Sequence, residues 1–275
     1  MVGADVIASA DASRERSTGD TAIQTRQLDG ADVTAHAALL DELASLVETH
    51  GTLYDWAAQQ PQPRALKGRA PVYVSSLPSE RETVVVRHAW HGGLLAPVTG
   101  DRFWRPSRAP IEMDRSARLI AAGIPTAVVL GFARYDAGLG LCHVDVVSRF
   151  VPNAFDLGVV IAGLAPDYQR NEALNATHAL LVRLASAGVI HPDLNVKNIL
   201  LARDAGGVPE AMMIDVDTIQ WDERRVHAET MRANVERLTR SMRKWRRQFG
   251  CDITDDELDR FTREAMSGMP ANTGT

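Results

Sequence analysis

The stretch "VIHPDLNVKNILL", from Val189 to Leu201, places a histidine, an aspartate, two asparagines and a lysine between apolar runs. His191, Asp193 and Asn198 in this stretch form the spacing H-x-D-x-x-x-x-N. A helical repeat of leucines ends just before it, at Gly188, and glycine commonly terminates helices. The pattern therefore predicts a polar loop that follows a helix and leads into a short strand, "NILLA".

A second stretch, "MMIDVDTI" from Met212 to Ile219, carries two aspartates at alternate positions in a run that otherwise predicts a buried strand. Asp215 follows Asp193 by 22 positions. We expect this strand to pair with "NILLA" as a hairpin. Both stretches would then bring charged groups into a core, and buried charges need partners.

The two stretches together are typical of a phosphotransferase that uses ATP. In such enzymes the loop aspartate, here Asp193, accepts the proton of the attacking hydroxyl. Asn198 and Asp215 would supply the oxygen ligands that Mg²⁺ prefers. His191 belongs to the same catalytic loop. Lys197 also lies in it, and contact with the transferred phosphoryl group and a solvated position remain equally open.

Two further residues fit this chemistry. In "VVVRH", Arg87 takes the place of the lysine in a V-A-I-K pattern, and an arginine can bind phosphate through its planar fork. Glu112, early in a predicted helix from Ile111 to Ala122, is its candidate partner. A surface ion pair, or two solvated charges, is the alternative interpretation.

The order of patterns along the 275 residues predicts an α+β, two-lobed fold. Residues 1–30 are expected to be a disordered lead. Residues 31–150 would form an N-terminal helix (from about Thr34 to Ala58) and a nucleotide-binding lobe, an antiparallel sheet with one helix. Residues 151–275 would form a mainly helical catalytic lobe. Strand patterns occur in "TVVVRHAW", "TAVVLGFARY" and "LCHVDVVSRFV".

Composition excludes several other classes. The chain has 30 basic and 35 acidic residues and a net charge of −5, so no global positive field indicates nucleic acid as a partner. Its two cysteines, Cys142 and Cys251, cannot form a disulfide scaffold and fit a reducing compartment. The N-terminal stretch lacks the pattern of a secretory signal, and no apolar run reaches the roughly 18 residues of a spanning helix. We therefore expect a cytoplasmic protein.

A basic amphipathic helix is predicted from Arg224 to Arg247. Val235, Leu238 and Met242 recur at helical spacing. The segment contains nine basic residues, at positions 224, 225, 232, 237, 240, 243, 244, 246 and 247. Such a helix can be the solvated face of a lobe, or it can attract an anionic membrane surface or a phosphate-bearing substrate.

Five segments in this chain order resemble the lipopolysaccharide inner-core sugar kinases, and most closely the 3-deoxy-D-manno-octulosonic acid (Kdo) kinase group. They are "VVVRHAWHGGL", "EMDRSARLIAAGIP", "GVIHPDLNVKNILL", "MMIDVDTI" and "NVERLTRSMRKW". The resemblance covers about Lys67 to Arg247. The catalytic loop and the "RH…HGG" strand are its most specific parts.

The resemblance implies a protein-kinase-like fold, ATP and Mg²⁺, and phosphoryl transfer to a sugar hydroxyl of a lipid-linked core. It also implies a location at the cytoplasmic face of the inner membrane. By the same resemblance Asp193 is the catalytic base, Asn198 and Asp215 hold the metal, and Arg87 paired with Glu112 contacts phosphate. "KGRAPVYV", with Gly68, takes the place of the nucleotide loop, and "VDVVSRF" is the hinge that receives adenine.

Two alternatives remain open from the sequence. Small-molecule kinases of the aminoglycoside or choline type share H-x-D-x-x-x-x-N, although their cationic substrates favour acidic sites rather than a basic helix. A nucleotide-binding pseudokinase scaffold is the second, favoured by the arginine at position 87 and by a nucleotide loop in which Gly68 is the only glycine.

Overall fold

The computed structural model describes residues 22–61, 64–66, 71–90, 100–105, 107–204, 206–222, 224 and 227–267. The chain divides into two compact units. The first contains the residues up to Ser107 together with Leu130–Ser148, and the second contains Arg108–Val129 together with the residues from Arg149 onward.

The first unit is built on an eight-stranded sheet in the order β1-β2-β7-β8-β5-β4-β3, with β6 beside β8. Its strands are β1 (Ile23–Leu28), β2 (Ala31–His36), β3 (Arg64–Leu66), β4 (Val72–Ser76), β5 (Thr83–His88), β6 (Phe103–Trp104), β7 (Val129–Asp136) and β8 (Leu141–Arg149). The pairings β1–β2, β2–β7, β3–β4, β4–β5 and β6–β8 are antiparallel. The predicted antiparallel sheet is thus confirmed.

Two helices pack with this sheet, α1 (Ala37–His50) and α2 (Leu53–Ala58). α1 ends at Gly51, whose φ of 83° suits a residue without a side chain. Thr52 then caps α2 by accepting a hydrogen bond from the Asp55 N–H at 2.9 Å. The single helix expected from Thr34 to Ala58 is therefore two helices, and it begins later because β2 occupies the residues before Ala37.

The β1–β2 hairpin corrects another expectation. Residues 23–28 form a strand whose partner is Ala31–His36, whereas the sequence predicted a disordered lead through residue 30. The side chains of β1 are mostly exposed, so this edge strand lacks the alternating apolar pattern by which strands are recognised. The first 21 residues of that expected lead lie outside the described part of the chain.

The second unit contains most of the helices. Its elements are α3 (Ala109–Ala121), β9 (Phe155–Asp156), α4 (Leu157–Ile161), α5 (Arg170–Ser186), β10 (Val189–Ile190), β11 (Ile199–Arg203), β12 (Pro209–Met213), a 3-10 turn (Val216–Thr218), β13 (Gln220–Trp221), α6 (His227–Phe249) and α7 (Asp255–Ser267). Two small antiparallel sheets have the orders β12-β11-β9 and β10-β13.

The helix α3 belongs to this second unit, although the sequence assigned it to the N-terminal lobe. Its Ser116 hydroxyl donates to the Ala127 carbonyl at 2.9 Å and accepts from the Val129 N–H at 3.3 Å. At its start, Arg108 forms an ion pair with Asp217 at 3.2 Å. α3 is therefore anchored to the turn that follows β12.

One apolar core holds the second unit together. α5 contributes the leucines that gave its helical pattern, among them Leu181 and Leu184, and both are fully buried. α6 buries Val235, Leu238 and Met242 at positions i, i+3 and i+7, the spacing that puts side chains on one face of a helix. No helix among the described residues has the length and apolar character needed to cross a membrane.

Candidate active site

The loop from His191 to Asn198 joins β10 to β11 in the second unit. Two tight turns shape it: the Leu194 N–H donates to the His191 carbonyl at 3.1 Å, and the Asn198 N–H donates to the Asn195 carbonyl at 3.0 Å. The predicted loop between a helix and the strand "NILLA" is confirmed, because α5 ends at Ser186 and β11 begins at Ile199.

Apolar and polar side chains alternate along this loop. Leu194 and Val196 are buried, at 3% and 1% exposure, and their side chains pack in the apolar core of the second unit. Asp193 and Lys197 are exposed. The expectation that these charges would be buried is therefore wrong, and the buried polar residues of the loop are the uncharged Asn198 and His191.

Backbone atoms of Asp193 hold the loop in shape. Its carbonyl accepts hydrogen bonds from the side-chain amides of Asn195 at 2.9 Å and Asn198 at 3.0 Å. Its N–H donates to His191 Nδ1 at 3.2 Å. These bonds fix the backbone at Asp193 and use none of its carboxylate oxygens.

His191 is fully buried at the start of the loop. Burial lowers the pKa of its imidazole, and the charges of Asp193 and Asp215 oppose that shift without offsetting it. Its Nε2 atom has no hydrogen bond of good geometry to any described residue. The Asp215 backbone lies near enough to raise the pKa of the imidazole, but by less than burial lowers it. A neutral imidazole that accepts from the Asp193 N–H positions the loop.

Asp215 lies in a turn, not in a strand. The predicted hairpin is confirmed, since β11 and β12 pair in antiparallel register with Ile199 opposite Met213, but β12 ends at Met213. Asp215 adopts the left-handed conformation, with φ 61° and ψ 50°, before the 3-10 turn. The Ile214 N–H donates to the Asn198 carbonyl at 3.0 Å, so this turn lies beside the loop from His191 to Asn198.

The donor atoms at this place fit a hard divalent cation. Asn198 uses its Nδ2 group within the loop, which leaves the amide oxygen Oδ1 as a ligand. Asp215 presents an exposed carboxylate on the adjoining turn. Oxygen donors of these two types are the ligands that Mg²⁺ selects.

Helix α6 supports the loop from behind, and sequence reasoning missed this role. The Asn234 side chain donates to the Val189 carbonyl at 2.8 Å and accepts from the His191 N–H at 3.1 Å. Arg237 donates to the Pro192 carbonyl at 3.0 Å. Ser241 accepts from the Val196 N–H at 3.2 Å. The available signal was the spacing of these three residues on α6, at i, i+3 and i+7, which places them on one helix face.

Lys197 has a neighbour on the same helix. Its Nζ lies 5.2 Å from the centre of the Trp245 ring, within the range of a cation–π contact. Trp245 is itself fixed by a hydrogen bond from Nε1 to the Gly158 carbonyl at 2.9 Å. A Cβ on Gly158 would come within 2.7 Å of this ring, so only glycine fits there.

The remaining predicted residues are distributed differently. Arg87 lies half-buried on β5 of the first unit, and Glu112 is buried in the first turns of α3 in the second unit. Their pairing stays a prediction. Gly68 lies outside the described residues. The predicted hinge, Val144–Phe150, falls mostly on β8, where the chain passes from the first unit to the second.

Sequence comparison identifies the family. The family described as "Lipopolysaccharide kinase (Kdo/WaaP) family" matches residues 55–264, about three quarters of the chain. The chain belongs to this family. Membership indicates a phosphotransferase that acts on a sugar hydroxyl.

Two curated relatives carry the name 3-deoxy-D-manno-octulosonic acid kinase. The protein of Xanthomonas oryzae pv. oryzae (strain PXO99A) is 30% identical over 209 residues, which cover 71% of this chain and 75% of the relative. The protein of Vibrio parahaemolyticus serotype O3:K6 (strain RIMD 2210633) is 27% identical over 163 residues, which cover 58% of this chain and 64% of the relative. A solved structure titled "WaaP in complex with acyl carrier protein" aligns at a TM-score of 0.47 and 14% identity, covering 82% of this chain and 86% of that one.

Proposed function

We propose that this protein is an ATP-dependent kinase that transfers the γ-phosphate to a hydroxyl of Kdo in the lipopolysaccharide inner core. The observation that carries the proposal is the loop in which the Asn198 amide donates to the Asp193 carbonyl, beside the turn that presents Asp215. Two relatives named for Kdo phosphorylation support the choice of acceptor. The protein-kinase-like, two-lobed arrangement is part of the proposal.

Asp193 is the proposed catalytic base. Its backbone is fixed by three hydrogen bonds while its carboxylate stays exposed to solvent, so an incoming hydroxyl can reach it. In phosphoryl transfer the protein contributes mainly positioning and electrostatic stabilisation. Asp193 would orient the sugar hydroxyl and take its proton, and His191 would keep the loop in the geometry that this requires.

Asn198 and Asp215 are the proposed ligands of Mg²⁺. When bound, this ion neutralises the charge that develops on the phosphates of ATP. Lys197, exposed next to Asn198, would add positive charge near the transferred group, and the Trp245 ring limits the positions that its ammonium can take.

The first unit would supply the other nucleotide contacts. Arg87 on β5 would bind phosphate, with Glu112 as its partner, and Gly68 would lie in the loop over the phosphates. Arginine forms two parallel hydrogen bonds to phosphate, unlike the point charge of lysine. A substitution Arg87→Lys therefore tests whether the fork itself is needed.

The test is a mass-spectrometric assay of the purified protein with Mg-ATP and a Kdo-bearing lipid A precursor. We expect the precursor to gain one phosphate. Asp193→Ala should lower the rate by about 10²–10⁴-fold, the usual contribution of a general base, without lowering the melting temperature, because the side chain is exposed.

Asp167→Ala is the matched control, since it removes another exposed loop aspartate of the second unit. Full activity of Asp193→Ala would contradict the assigned base. Turnover of aminoglycosides or choline, with none on the Kdo lipid, would contradict the assigned acceptor. ATP binding without transfer to any acceptor would favour a scaffold.

We further propose that the protein works at the cytoplasmic face of the inner membrane, where its lipid-linked substrate would lie. α6 supports this location: Arg232, Arg240, Lys244 and Arg247 are exposed. They fall within about a third of the helix circumference at 100° per residue, where they outnumber the exposed Glu229 and Glu236 by four to two. Anionic lipid attracts such a stripe.

A further inference from the structure

A second cluster of ligand-type side chains lies in the first unit, away from the catalytic loop in the chain. His88 is the last residue of β5, His143 lies on β8, and Asp101 precedes β6. One ligand atom from each lies within 4.8 Å of the other two. Among the described residues, this is the one group of three or more His, Cys, Asp or Glu residues arranged in that way.

We propose that His88, Asp101 and His143 form a binding site for a divalent transition-metal ion of the zinc type. Two imidazole nitrogens and one carboxylate oxygen are a common ligand set for Zn²⁺ and for other divalent transition metals, often with a further position left for water. Mg²⁺ prefers oxygen donors alone. The ligand chemistry therefore separates this site from the magnesium site proposed at Asn198 and Asp215.

The distances agree with a shared ion. His88 Nε2 and His143 Nδ1 each lie 3.0 Å from the same oxygen of Asp101, Oδ2. Around a tetrahedral zinc with bonds of 2.0–2.1 Å, neighbouring ligand atoms are about 3.3 Å apart. Both of these separations are therefore within a few tenths of an ångström of that value, and the two imidazole nitrogens lie within 4.8 Å of each other.

His88 also has the outer contact that metal-bound histidines usually have. Its second nitrogen, Nδ1, lies 2.6 Å from an oxygen of the fully buried Asp145. A carboxylate in this position fixes the tautomer and the orientation of a ligating imidazole. Asp145 is held in turn, because its other oxygen accepts from the Tyr135 hydroxyl and from the Tyr54 N–H, each at 2.9 Å.

His143 distinguishes this cluster from a simple histidine–carboxylate pair. Its Nδ1 atom is buried but has no hydrogen-bond partner among the described residues, although the Asp101 carboxylate is only 3.0 Å away. Asp101 already accepts a hydrogen bond from His88. A hydrogen bond between His88 and Asp101 leaves the His143 nitrogen without a partner. A single cation would be bound by all three side chains at once.

Two aromatic rings lie beside His88. The ring of Tyr54 lies 5.6 Å and the ring of Trp90 lies 5.7 Å from the His88 ring, measured between centroids. His88 and Asp101 are only 14% and 29% exposed in their side chains. Partial burial of this kind strengthens the attraction between ligands and an ion.

The test uses the full chain without a polyhistidine tag, treated with EDTA and then titrated with Zn²⁺ by calorimetry in the absence of ATP. We expect one zinc per chain, no competition from millimolar Mg²⁺, and a higher melting temperature with zinc. Co²⁺ in place of zinc should give the intense visible absorption of a tetrahedral site.

His143→Ala and Asp101→Ala should each weaken zinc binding by more than the 10–100-fold loss typical of an outer contact. Asp215→Asn and His50→Ala should leave it unchanged, because they alter the proposed magnesium site and a histidine on α1. Both ligand side chains are partly exposed, and a melting curve without zinc reports whether each variant folds. Absence of zinc binding, or equal binding by the ligand variants, would overturn the proposal and leave a protonated His88 between two carboxylates.

Discussion

At the scale of single residues, the backbone of Asp215 has an unusual conformation. Its φ of 61° puts it in the left-handed region, which costs most residues roughly 1–2 kcal/mol but which aspartate and asparagine tolerate better. An aspartate at this position would therefore meet two needs, a carboxylate for the proposed cation and a backbone that accepts the turn.

Two substitutions at Asp215 separate these needs. Asp215→Asn keeps a side chain that tolerates the turn but removes the charge, so we expect activity to be lost while the melting temperature stays within about 2 °C of wild type. Asp215→Ala should lose activity and also about 1 kcal/mol of stability, which corresponds to a decrease of roughly 2–4 °C. Equal melting temperatures for the two variants would contradict the backbone argument.

His191 gives a prediction about pH. Because burial lowers its pKa in the folded state, the unfolded chain binds the proton more readily, and folding stability falls as the pH falls below about 6.5, the ordinary histidine value. His191→Asn keeps an acceptor for the Asp193 N–H without a titrating group. The stability advantage of wild type over this variant should therefore shrink between pH 7.5 and pH 5.5.

Melting temperatures of both proteins across that pH range provide the measurement. His227→Asn, at an exposed histidine that opens α6, is the matched control. A wild-type advantage that stays constant or grows toward low pH would show that His191 is not held neutral by the fold.

Sequence alone predicted the loop from His191 to Asn198 but not the environment of its residues. The spacing of His191, Asp193 and Asn198 predicted the loop, and that loop is present. The alternation of apolar and polar letters suggested buried charges, yet Leu194 and Val196 take the buried positions and leave Asp193 exposed. A linear pattern cannot show which of two alternating sets faces the core when the segment is a loop rather than a strand.

At the scale of elements, α6 holds the loop from His191 to Asn198 through hydrogen bonds. The Asn234 side chain is fully buried and makes one bond to each side of the β10–loop junction. Buried polar groups that lose a partner cost about 1–3 kcal/mol each. The loop therefore depends on an element more than 30 positions away in the chain.

Asn234→Ala should lower the melting temperature substantially, because it leaves the His191 N–H and the Val189 carbonyl without partners. We expect a loss of about 2–6 kcal/mol from the two groups and a lower rate of phosphoryl transfer. Asn175→Ala, at an exposed asparagine on α5, controls for loss of an amide. Melting curves measure the loss of stability, and the Kdo-lipid assay measures the loss of rate. A melting temperature of Asn234→Ala equal to that of wild type would contradict the proposed support of the loop by Asn234.

The elements themselves were predictable where apolar periodicity is strong. The β11–β12 hairpin, the end of α5 near Gly188 and strand β5 follow their sequence patterns. The hairpin of β1 and β2 was missed, because an exposed edge strand has little apolar signal. The membership of α3 in the second unit was also missed, because it depends on contacts of Ser116 and Arg108 that are distant in sequence or unmarked by any motif.

At the scale of the whole molecule, charge is distributed unevenly. The chain carries a net charge of −5, yet α6 has exposed basic residues. Several other basic residues of α6 are already engaged: Arg243 pairs with Asp259 at 2.8 Å and Arg246 pairs with Asp255 at 3.0 Å. Only the exposed members of the helix can attract an external anion.

Arg240→Gln with Lys244→Gln removes two of these exposed charges. At about 1 kcal/mol per charge near an anionic surface, binding to vesicles rich in phosphatidylglycerol should weaken by roughly 30-fold. The remaining binding should weaken further with added salt. Co-sedimentation with vesicles of varied anionic content provides the measurement.

The matched control is Arg260→Gln with Arg263→Gln, which removes the same charge from exposed positions on α7. We expect it to leave vesicle binding within a few-fold of wild type. Equal losses for the two pairs would indicate an effect of net charge rather than of the α6 stripe, and absence of binding by wild type would contradict peripheral attachment.

The two faces of α6 have a consequence for how such a protein can change over time. Asn234 and Ser241 point toward the catalytic loop, whereas Arg240 and Lys244 face solvent. Substitutions on the outer face can tune attraction to a surface in small steps without disturbing catalysis. Deletion of the helix would remove both the attraction to a surface and the support of the loop. With the proposed membrane attachment, adaptation to a new membrane composition would be open to this chain through point mutations, while the inner face of the same helix is constrained by its contacts with the loop.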